Sequence, residues 1–337
     1  MRAACYERTG PAADVFRVED VLVPAPGRGE VRVAVAFSGV NPSDVKTRAG
    51  ARGGDLPFAR IVPHSDGSGT VEAVGEGVDS GRVGERVWLW NAAWGRPYGT
   101  AADYVVLPAE QAVPLPDGAS LETGACLGIP ALTAYHAVHC HGGVEGQRML
   151  IAGGAGAVGH SAIQIARVAG AAQIIASVSS EDKASIATAA GADTTIDYRR
   201  EDVAARIGAL TGGTGVDRVI EVALASNIGI DLQAVRRDGL IVAYGSDGPE
   251  VTIPFFPAIL DNLQLQFFIV YNLDQTARRR AIDGVNRLLE QHVLQPRIGE
   301  ILSLEDVAVA HQRVESGAAS GNVLLRVGSW SRESVFT

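Results

Sequence analysis

The chain has 337 residues, 47% hydrophobic and 20% charged, the make-up of an ordinary globular protein long enough for two cores. Its net charge of −9, with no basic run longer than Arg278-Arg279-Arg280, disfavours nucleic acid and anionic membranes as partners. No apolar run approaches the roughly 20 residues that span a bilayer, Met1 to Glu7 lack a signal-peptide core, and three unevenly spaced cysteines suit a reducing cytoplasm.

The first 120 residues read as β-rich. Val31 to Ala36 alternate at period two, and Gly67 to Gly75 and Asp103 to Val106 behave similarly between glycine and proline punctuation. From about residue 122 the texture changes. Strands near 148–152, 173–178, 217–222 and 239–244 alternate with alanine-rich helical segments, the βαβ rhythm of a parallel sheet. Phe267 to Tyr271 reads as a further apolar strand, residues 275–291 as a helix, Leu304 to Ala308 as the start of another, and Asn322 to Val327 as a last strand. The tail is expected to return to the first domain. Trp88 and Trp90 share one strand face, the pattern of a core, whereas Trp94 stands in a loop.

The most specific segment is Leu150 to His160, an apolar strand stub running into a glycine turn and then a helix. Gly154, Gly156 and Gly159 satisfy G-x-G-x-x-G. The spacing gives a tight turn, close approach to a pyrophosphate, and close packing of helix on strand. The phosphates would meet the helix N-terminus, with its free N–H groups. The acid that usually closes the next strand and binds the ribose 2′-hydroxyl of NAD is missing. Ser177-Val178-Ser179-Ser180 stand there, with Lys183 beyond. A hydroxyl donor and a cation suit a 2′-phosphate, so the expected cofactor is NADPH.

Three further segments, Ser38-Gly39-Val40-Asn41-Pro42-Ser43-Asp44, Pro63-His64-Ser65-Asp66-Gly67-Ser68-Gly69 and Gly128 to Tyr135, complete a pattern that spans nearly the whole chain. It resembles the medium-chain dehydrogenase/reductases, and within them the zinc-free quinone oxidoreductases of the zeta-crystallin type. The resemblance implies an α/β protein: a Rossmann doubly wound parallel sheet at 124–271, and a β-rich GroES-like catalytic domain from 1–123 and 272–337. The three catalytic zinc ligands of the alcohol dehydrogenases in that superfamily fall on Asn41, Ser65 and Ile129, and their four-cysteine lobe is absent. The expectation is therefore no metal.

By resemblance, Thr133 lies beside the nicotinamide ribose, Ala155, Gly156, Ala157 and Val158 form the pyrophosphate turn, and Ser179, Lys183 and Tyr198 form the 2′-phosphate pocket. Tyr244, Gly245 and Ser246 touch the cofactor, Phe268, Ile269 and Val270 line the nicotinamide, and Asn322 closes the far side. Asn41 is expected near the nicotinamide or the acceptor carbonyl, and Lys46, where the family often has tyrosine, near developing oxyanion charge. The implied reaction is hydride transfer from nicotinamide C4 to a quinone in the cleft between the domains, with water supplying the proton. The alternatives are an NADPH-dependent enone or alkenal double-bond reductase, and a non-catalytic, NADPH-binding crystallin-like or RNA-binding role. A homodimer or homotetramer is expected. The apolar run Leu265 to Val270 is the candidate edge for two-fold pairing. His136, His139, Cys140 and His141 precede Gly142-Gly143 and suit a helix C-terminus better than a metal site.

Overall fold

The computed structural model describes residues 1–51, 53 and 56–328. The chain divides into two compact units, Met1–Ile129 with Leu289–Thr337, and Pro130–Leu288.

In the first unit, β1 (Arg2–Cys5) pairs antiparallel with β2 (Arg17–Asp20). The larger sheet is built on β3 (Glu30–Val40), which pairs with β4 (Asp66–Val74) on one side and β6 (Tyr104–Pro108) along part of its length. Next to β4 come β5 (Arg86–Leu89) and β7 (Ala112–Pro114). Val31, Val33 and Val35 are buried with Val87, Leu89 and Leu107 in one core, but Ala34 and Ala36 are buried as well, so β3 is covered on both faces here and not half-buried as its alternation suggested. Trp88 is fully buried, as its strand position predicts. At the end of β3 the chain turns into the helix Pro42–Arg48. Pro42 occupies the first helical position, and the Asn41 N–H donates to Asp44 Oδ2 at 2.8 Å.

The second unit holds six parallel strands: β8 (Arg148–Ile151), β9 (Gln173–Val178), β10 (Thr194–Asp197), β11 (Val216–Glu221), β12 (Val235–Ala243) and β13 (Gln264–Phe267). Their spatial order is β10-β9-β8-β11-β12-β13. The chain order reverses between β8 and β11, the doubly wound arrangement whose ligands bind at the carboxyl ends beside that switch. Inward-facing Leu150, Ile175, Ile196, Val219 and Ile241 fill its core. Arg218 of β11, 1% exposed, is one of the charged residues in this interior. Its guanidinium donates to the carbonyls of Ala137, Val138, Cys140 and Gly143, at 2.9–3.1 Å. It thereby satisfies the orphan carbonyls at the end of the helix Leu132–His139, which carries Thr133.

The remaining strands, β14 (Ile298–Ser303) and β15 (Asn322–Arg326), return to the first unit, where β15 pairs antiparallel with β3. The tail thus rejoins the first sheet as the sequence suggested.

Two boundaries differ from expectation. The apolar strand lies at Gln264–Phe267 rather than Phe267–Tyr271, because β12 ends at Ala243 and the last ladder bond runs from Phe268 N–H to the Ala243 carbonyl. Val270–Asn272 form a single 3₁₀ turn instead. The unit limits fall at 129/130 and 288/289, against the expected 123/124 and 271/272. The helix Gln275–Glu290 buries Ala277, Ala281, Val285 and Leu288, and residues through Leu288 belong to the parallel-sheet unit. Residues 329–337 of the expected tail lie outside the described residues.

Candidate functional site

In the parallel-sheet unit, β8 ends at Ile151 and the helix Ala157–Val168 begins with Gly156 as its N-cap. A Cβ on Gly154 would lie 2.7 Å from the Ala176 Cβ, and one on Gly159 would lie 2.3 Å from the Gly153 carbonyl oxygen. Neither position admits a side chain. A Cβ on Gly156 meets only the Gly153 oxygen, at 3.2 Å. Gly156 is therefore the least crowded of the three, the position at which the motif brings a pyrophosphate close to the backbone. Ala155 is buried, whereas Ala157 and Val158 are half-buried at the helix start, and Gly159 packs inside.

Ser177 was not singled out in the sequence, yet it holds this turn. Its hydroxyl accepts from Gly153 N–H at 3.3 Å, and its carbonyl accepts from Gly154 N–H at 3.0 Å. The signal was a small hydroxyl one residue before the end of an apolar strand. Beyond β9, Ser179 is buried and Ser180 caps the next helix, its hydroxyl accepting from Lys183 N–H at 3.3 Å. Tyr198 follows β10 with half its surface exposed, its N–H bonded to the Val178 carbonyl at 3.1 Å. The carboxyl end of β9 thus carries hydroxyls, and its first acids, Glu181 and Asp182, point to solvent in the helical turn beyond. These residues fit an adenosine 2′-phosphate better than a free 2′-hydroxyl.

At the carboxyl end of β11, Glu221 is fully buried. It accepts from the Ala223 N–H and from Asn227 Nδ2 at 3.2 Å, and it hydrogen-bonds with buried Asp231 on the helix Leu224–Ala234. Burial, reinforced by the Glu221 charge, pushes the Asp231 carboxyl up to about 8, so this pair holds a proton at neutral pH. The pair fixes the turn after β11. The next strand ends there too: the Tyr244 N–H donates to the Glu221 carbonyl at 3.1 Å, and a Cβ on Gly245 would lie 2.5 Å from the Val222 oxygen. Ser246 accepts from the Ala225 N–H at 3.3 Å and donates to the Gly248 carbonyl at 2.8 Å. A charged residue closing the run Val219-Ile220-Glu221 was the sequence signal for this cluster. Thr133 is buried in the helix Leu132–His139, and Phe268 meets the His136 ring at 4.6 Å and the Tyr244 ring at 6.4 Å. Ile269 is partly exposed and Val270 is buried.

In the other unit, Asn41 is 4% exposed and its Nδ2 donates to Asp66 Oδ2 at 2.8 Å. Burial holds the Asp66 carboxyl well above the usual carboxylate range, and the Asn41 amide only partly offsets that. Ser65 is buried beside it, and Ile129 presents hydrocarbon. Among the described residues no group of three or more His, Cys, Asp or Glu side chains is arranged to hold a metal ion. Lys46 is exposed on the helix Pro42–Arg48. Asn322 is buried at the start of β15, its Nδ2 donating to the Arg297 carbonyl at 2.8 Å.

Beneath Asp66 lies a buried polar chain absent from the sequence reading. Thr100 donates to the Asp66 carbonyl, so its oxygen must accept from Ser38, 2.7 Å away. The Ser38 oxygen then accepts from His64 Nδ1 at 2.8 Å, which leaves His64 Nε2 to accept from His311 Nε2 at 2.9 Å. One carbonyl at the end of the chain thus sets both tautomers. Both histidines are fully buried, and burial drives His64 down to about 3 and His311 well below its usual range. His64 also sits at φ +78°, a conformation few side-chain-bearing residues adopt.

A doubly wound parallel sheet with a glycine turn at its switch point, joined in one chain to a mixed sheet built on β3, defines a nucleotide-dependent oxidoreductase class. Residues 27–117 match the family model described as alcohol dehydrogenase GroES-like domain, and residues 157–287 that described as zinc-binding dehydrogenase. Human quinone oxidoreductase is 30% identical over 334 residues, 96% of this chain and 97% of that protein. A Burkholderia 2-haloacrylate reductase is 30% identical over 340 residues, covering 96% and 98%. Among solved structures, an NAD-dependent alcohol dehydrogenase superposes with a TM-score of 0.89 at 32% identity, covering 97% of this chain and 100% of that one. Escherichia coli quinone oxidoreductase in complex with NADPH superposes at 0.87 and 25% identity, with the same coverage. The chain belongs to the medium-chain dehydrogenase/reductases of the quinone oxidoreductase type, and is an NAD(P)-dependent oxidoreductase.

Proposed function

We propose that the chain is an NADPH-dependent quinone oxidoreductase that works without zinc. The observation that carries this reading is the Asn41–Asp66 pair. At the position of the first zinc ligand, the amide nitrogen is engaged by a buried carboxyl, and the companion positions offer a hydroxyl and hydrocarbon. This donor set does not fit zinc, whatever the description of the matched family model. The choice of NADPH rests on the hydroxyl-lined end of β9 and on the quinone oxidoreductase neighbour solved with that cofactor.

When bound, NADPH supplies the hydride. The turn from Gly154 to Gly159 holds the pyrophosphate, with Ala155, Ala157 and Val158 shaping it, and Ser179, Lys183 and Tyr198 hold the 2′-phosphate. Thr133, Tyr244 to Ser246, Phe268 to Val270 and Asn322 are assigned to the nicotinamide end. Asn41, held by Asp66, is the hydrogen-bonding group for cofactor or acceptor, and Lys46 provides positive charge for the oxygen as it becomes anionic. Water delivers the final proton, so the chain's main task is orientation. An enone reductase is the second reading, favoured by the 2-haloacrylate reductase at equal identity. The test is NADPH oxidation at 340 nm with chelator present, against a quinone panel and an enone panel. Quinone turnover unaffected by chelator is the expected result. Enone preference transfers the chain to the second reading, and inhibition by chelator contradicts a zinc-free enzyme.

The reading includes a cytoplasmic homodimer or homotetramer. Strand β13 lies at one edge of its sheet, and Phe255, Phe256, Leu260 and Phe267, all exposed, stand on or beside it. Leu260→Asp is expected to lower the mass measured by light scattering; an unchanged mass would place the interface elsewhere.

A further inference from the structure

The helix Gln275–Glu290 turns its apolar face inward and Arg279, Arg280, Asp283 and Arg287 outward. A groove of about 420 Å³ follows that outward face, lined by those four side chains together with Thr276 and Tyr135. Three guanidiniums thus meet one carboxylate in the lining, with the Asp274 carboxylate near enough to feel the Arg280 charge. Among the described residues no carboxylate lies within ion-pair distance of Arg279, Arg280 or Arg287. In a chain of net charge −9, a concavity with surplus positive charge runs against the general composition.

A neutral donor joins the arginines. Gly284 occupies the middle of this helix, where glycine costs about 1 kcal/mol relative to alanine. A Cβ there would lie 2.1 Å from Tyr135 Cζ and 2.3 Å from its hydroxyl oxygen. The glycine therefore admits the phenol across the helix backbone and brings its hydroxyl to the groove. Behind it the Tyr135 ring stacks on His139 at 4.0 Å and 13°. Tyr135 is only 9% exposed, and its hydroxyl makes no hydrogen bond among the described residues. An unused hydroxyl donor beside planar guanidiniums is the donor set of an anion receptor.

The groove is tied to residues assigned above to the nicotinamide end. The Arg280 charge reaches His136, whose ring meets Phe268, and Arg278 donates to the Val270 carbonyl. We infer that this groove receives the anionic part, a carboxylate or phosphate, of the electron acceptor, so that the enzyme's own acceptor is an acidic molecule and not a neutral quinone. The volume exceeds a single phosphate and leaves room for the chain that joins the anion to the reducible group. The inference rests on the oxidoreductase reading and narrows its substrate class.

The test uses 1,4-naphthoquinone and 1,2-naphthoquinone-4-sulfonate with NADPH at fixed ionic strength, each acceptor compared between wild type and Arg280→Gln/Arg287→Gln. Both positions are exposed, and a thermal melt checks that the variant folds. The expected result is a KM for the sulfonate raised about tenfold, the loss of a charge-assisted contact, with the neutral quinone unchanged. Parallel changes for both acceptors, or none, would overturn the inference. Calorimetric titration with inorganic pyrophosphate separates the two sources of anion. Pyrophosphate binding weakened in the variant while sulfonate kinetics stay unchanged would make this a free-anion site and reject the acceptor assignment. If neither acceptor is reduced, the quinone reading itself fails, and the same titration decides the groove: affinity lost in the variant sustains an anion receptor, and equal affinity rejects one.

Discussion

The glycine turn of the parallel-sheet unit and the Asn41–Asp66 cluster of the other unit solve opposite problems. The turn works through backbone. Its glycines are placed within six residues, and what matters is the absence of side chains. The cluster works through buried polar side chains drawn from β3, β4, the Thr100 loop and a helix near residue 311, each needing a partner far away in sequence. Electrostatics sharpen the contrast. The parallel-sheet unit buries the Glu221–Asp231 carboxyl pair, which holds a proton, and the other buries a histidine pair, which refuses one.

The largest expected effect breaks the turn. Gly159→Ala drives a methyl into the Gly153 carbonyl, so NADPH affinity should fall beyond roughly 100-fold and the melting temperature should drop as well. Gly156→Ala meets only the Gly153 carbonyl oxygen, at 3.2 Å, so it should weaken NADPH about tenfold through contact with the cofactor and lower the melt far less than Gly159→Ala. Equal melts for the two variants would contradict this division of roles. Next, Ser179→Glu places a carboxylate at the end of β9 and should shift the NADPH-to-NADH affinity ratio by roughly 100-fold, about 3 kcal/mol of like-charge repulsion. Fluorescence titration with both cofactors reads it directly.

The smaller effects lie in pH dependence, and their signs differ. Asp231 moves from an ordinary 3.8 to about 8 on folding, so between these values the folded chain holds a proton the unfolded chain has lost. That contribution to stability is complete below about pH 4 and is lost as pH rises to 8. The histidines behave in reverse: depressed from 6.5 to about 3 for His64, they add stability above pH 6.5 that is lost as pH falls. Asp231→Asn should therefore flatten the alkaline limb, as read by amide exchange in β8 and β11. His311→Leu should flatten the acid limb in β3 and β4, while costing about 1–3 kcal/mol for the His64 nitrogen left unpaired. Either variant changing the other unit's limb would break the comparison.

The same contrast explains what was legible in the sequence. The strand–turn–helix around Gly154, the hydroxyl end of β9 and the alternation of β3 are local patterns, and a single window of residues carries each. The strand near Phe267 was misplaced because apolar character continues past the point where β12 stops offering a partner. Residues 272–288 fall in the parallel-sheet unit against expectation, because an amphipathic helix does not say which core takes its apolar face. Ser177, Glu221, Asp231 and the His64–His311 pair were missed for a common reason. Their significance lies in contacts across 24, 10 and 247 residues, which no spacing rule reports. His64 stands in a left-handed turn, yet it also joins a buried chain that supports Asp66.

The central claim is that the end of β9 selects the phosphorylated cofactor. Equilibrium titration of the wild-type chain with NADPH and NADH, under identical salt and with chelator present, tests it most directly. The account predicts NADPH binding at least about tenfold tighter, the worth of one charge-assisted contact to the 2′-phosphate. Equal affinities, or a preference for NADH, would contradict it.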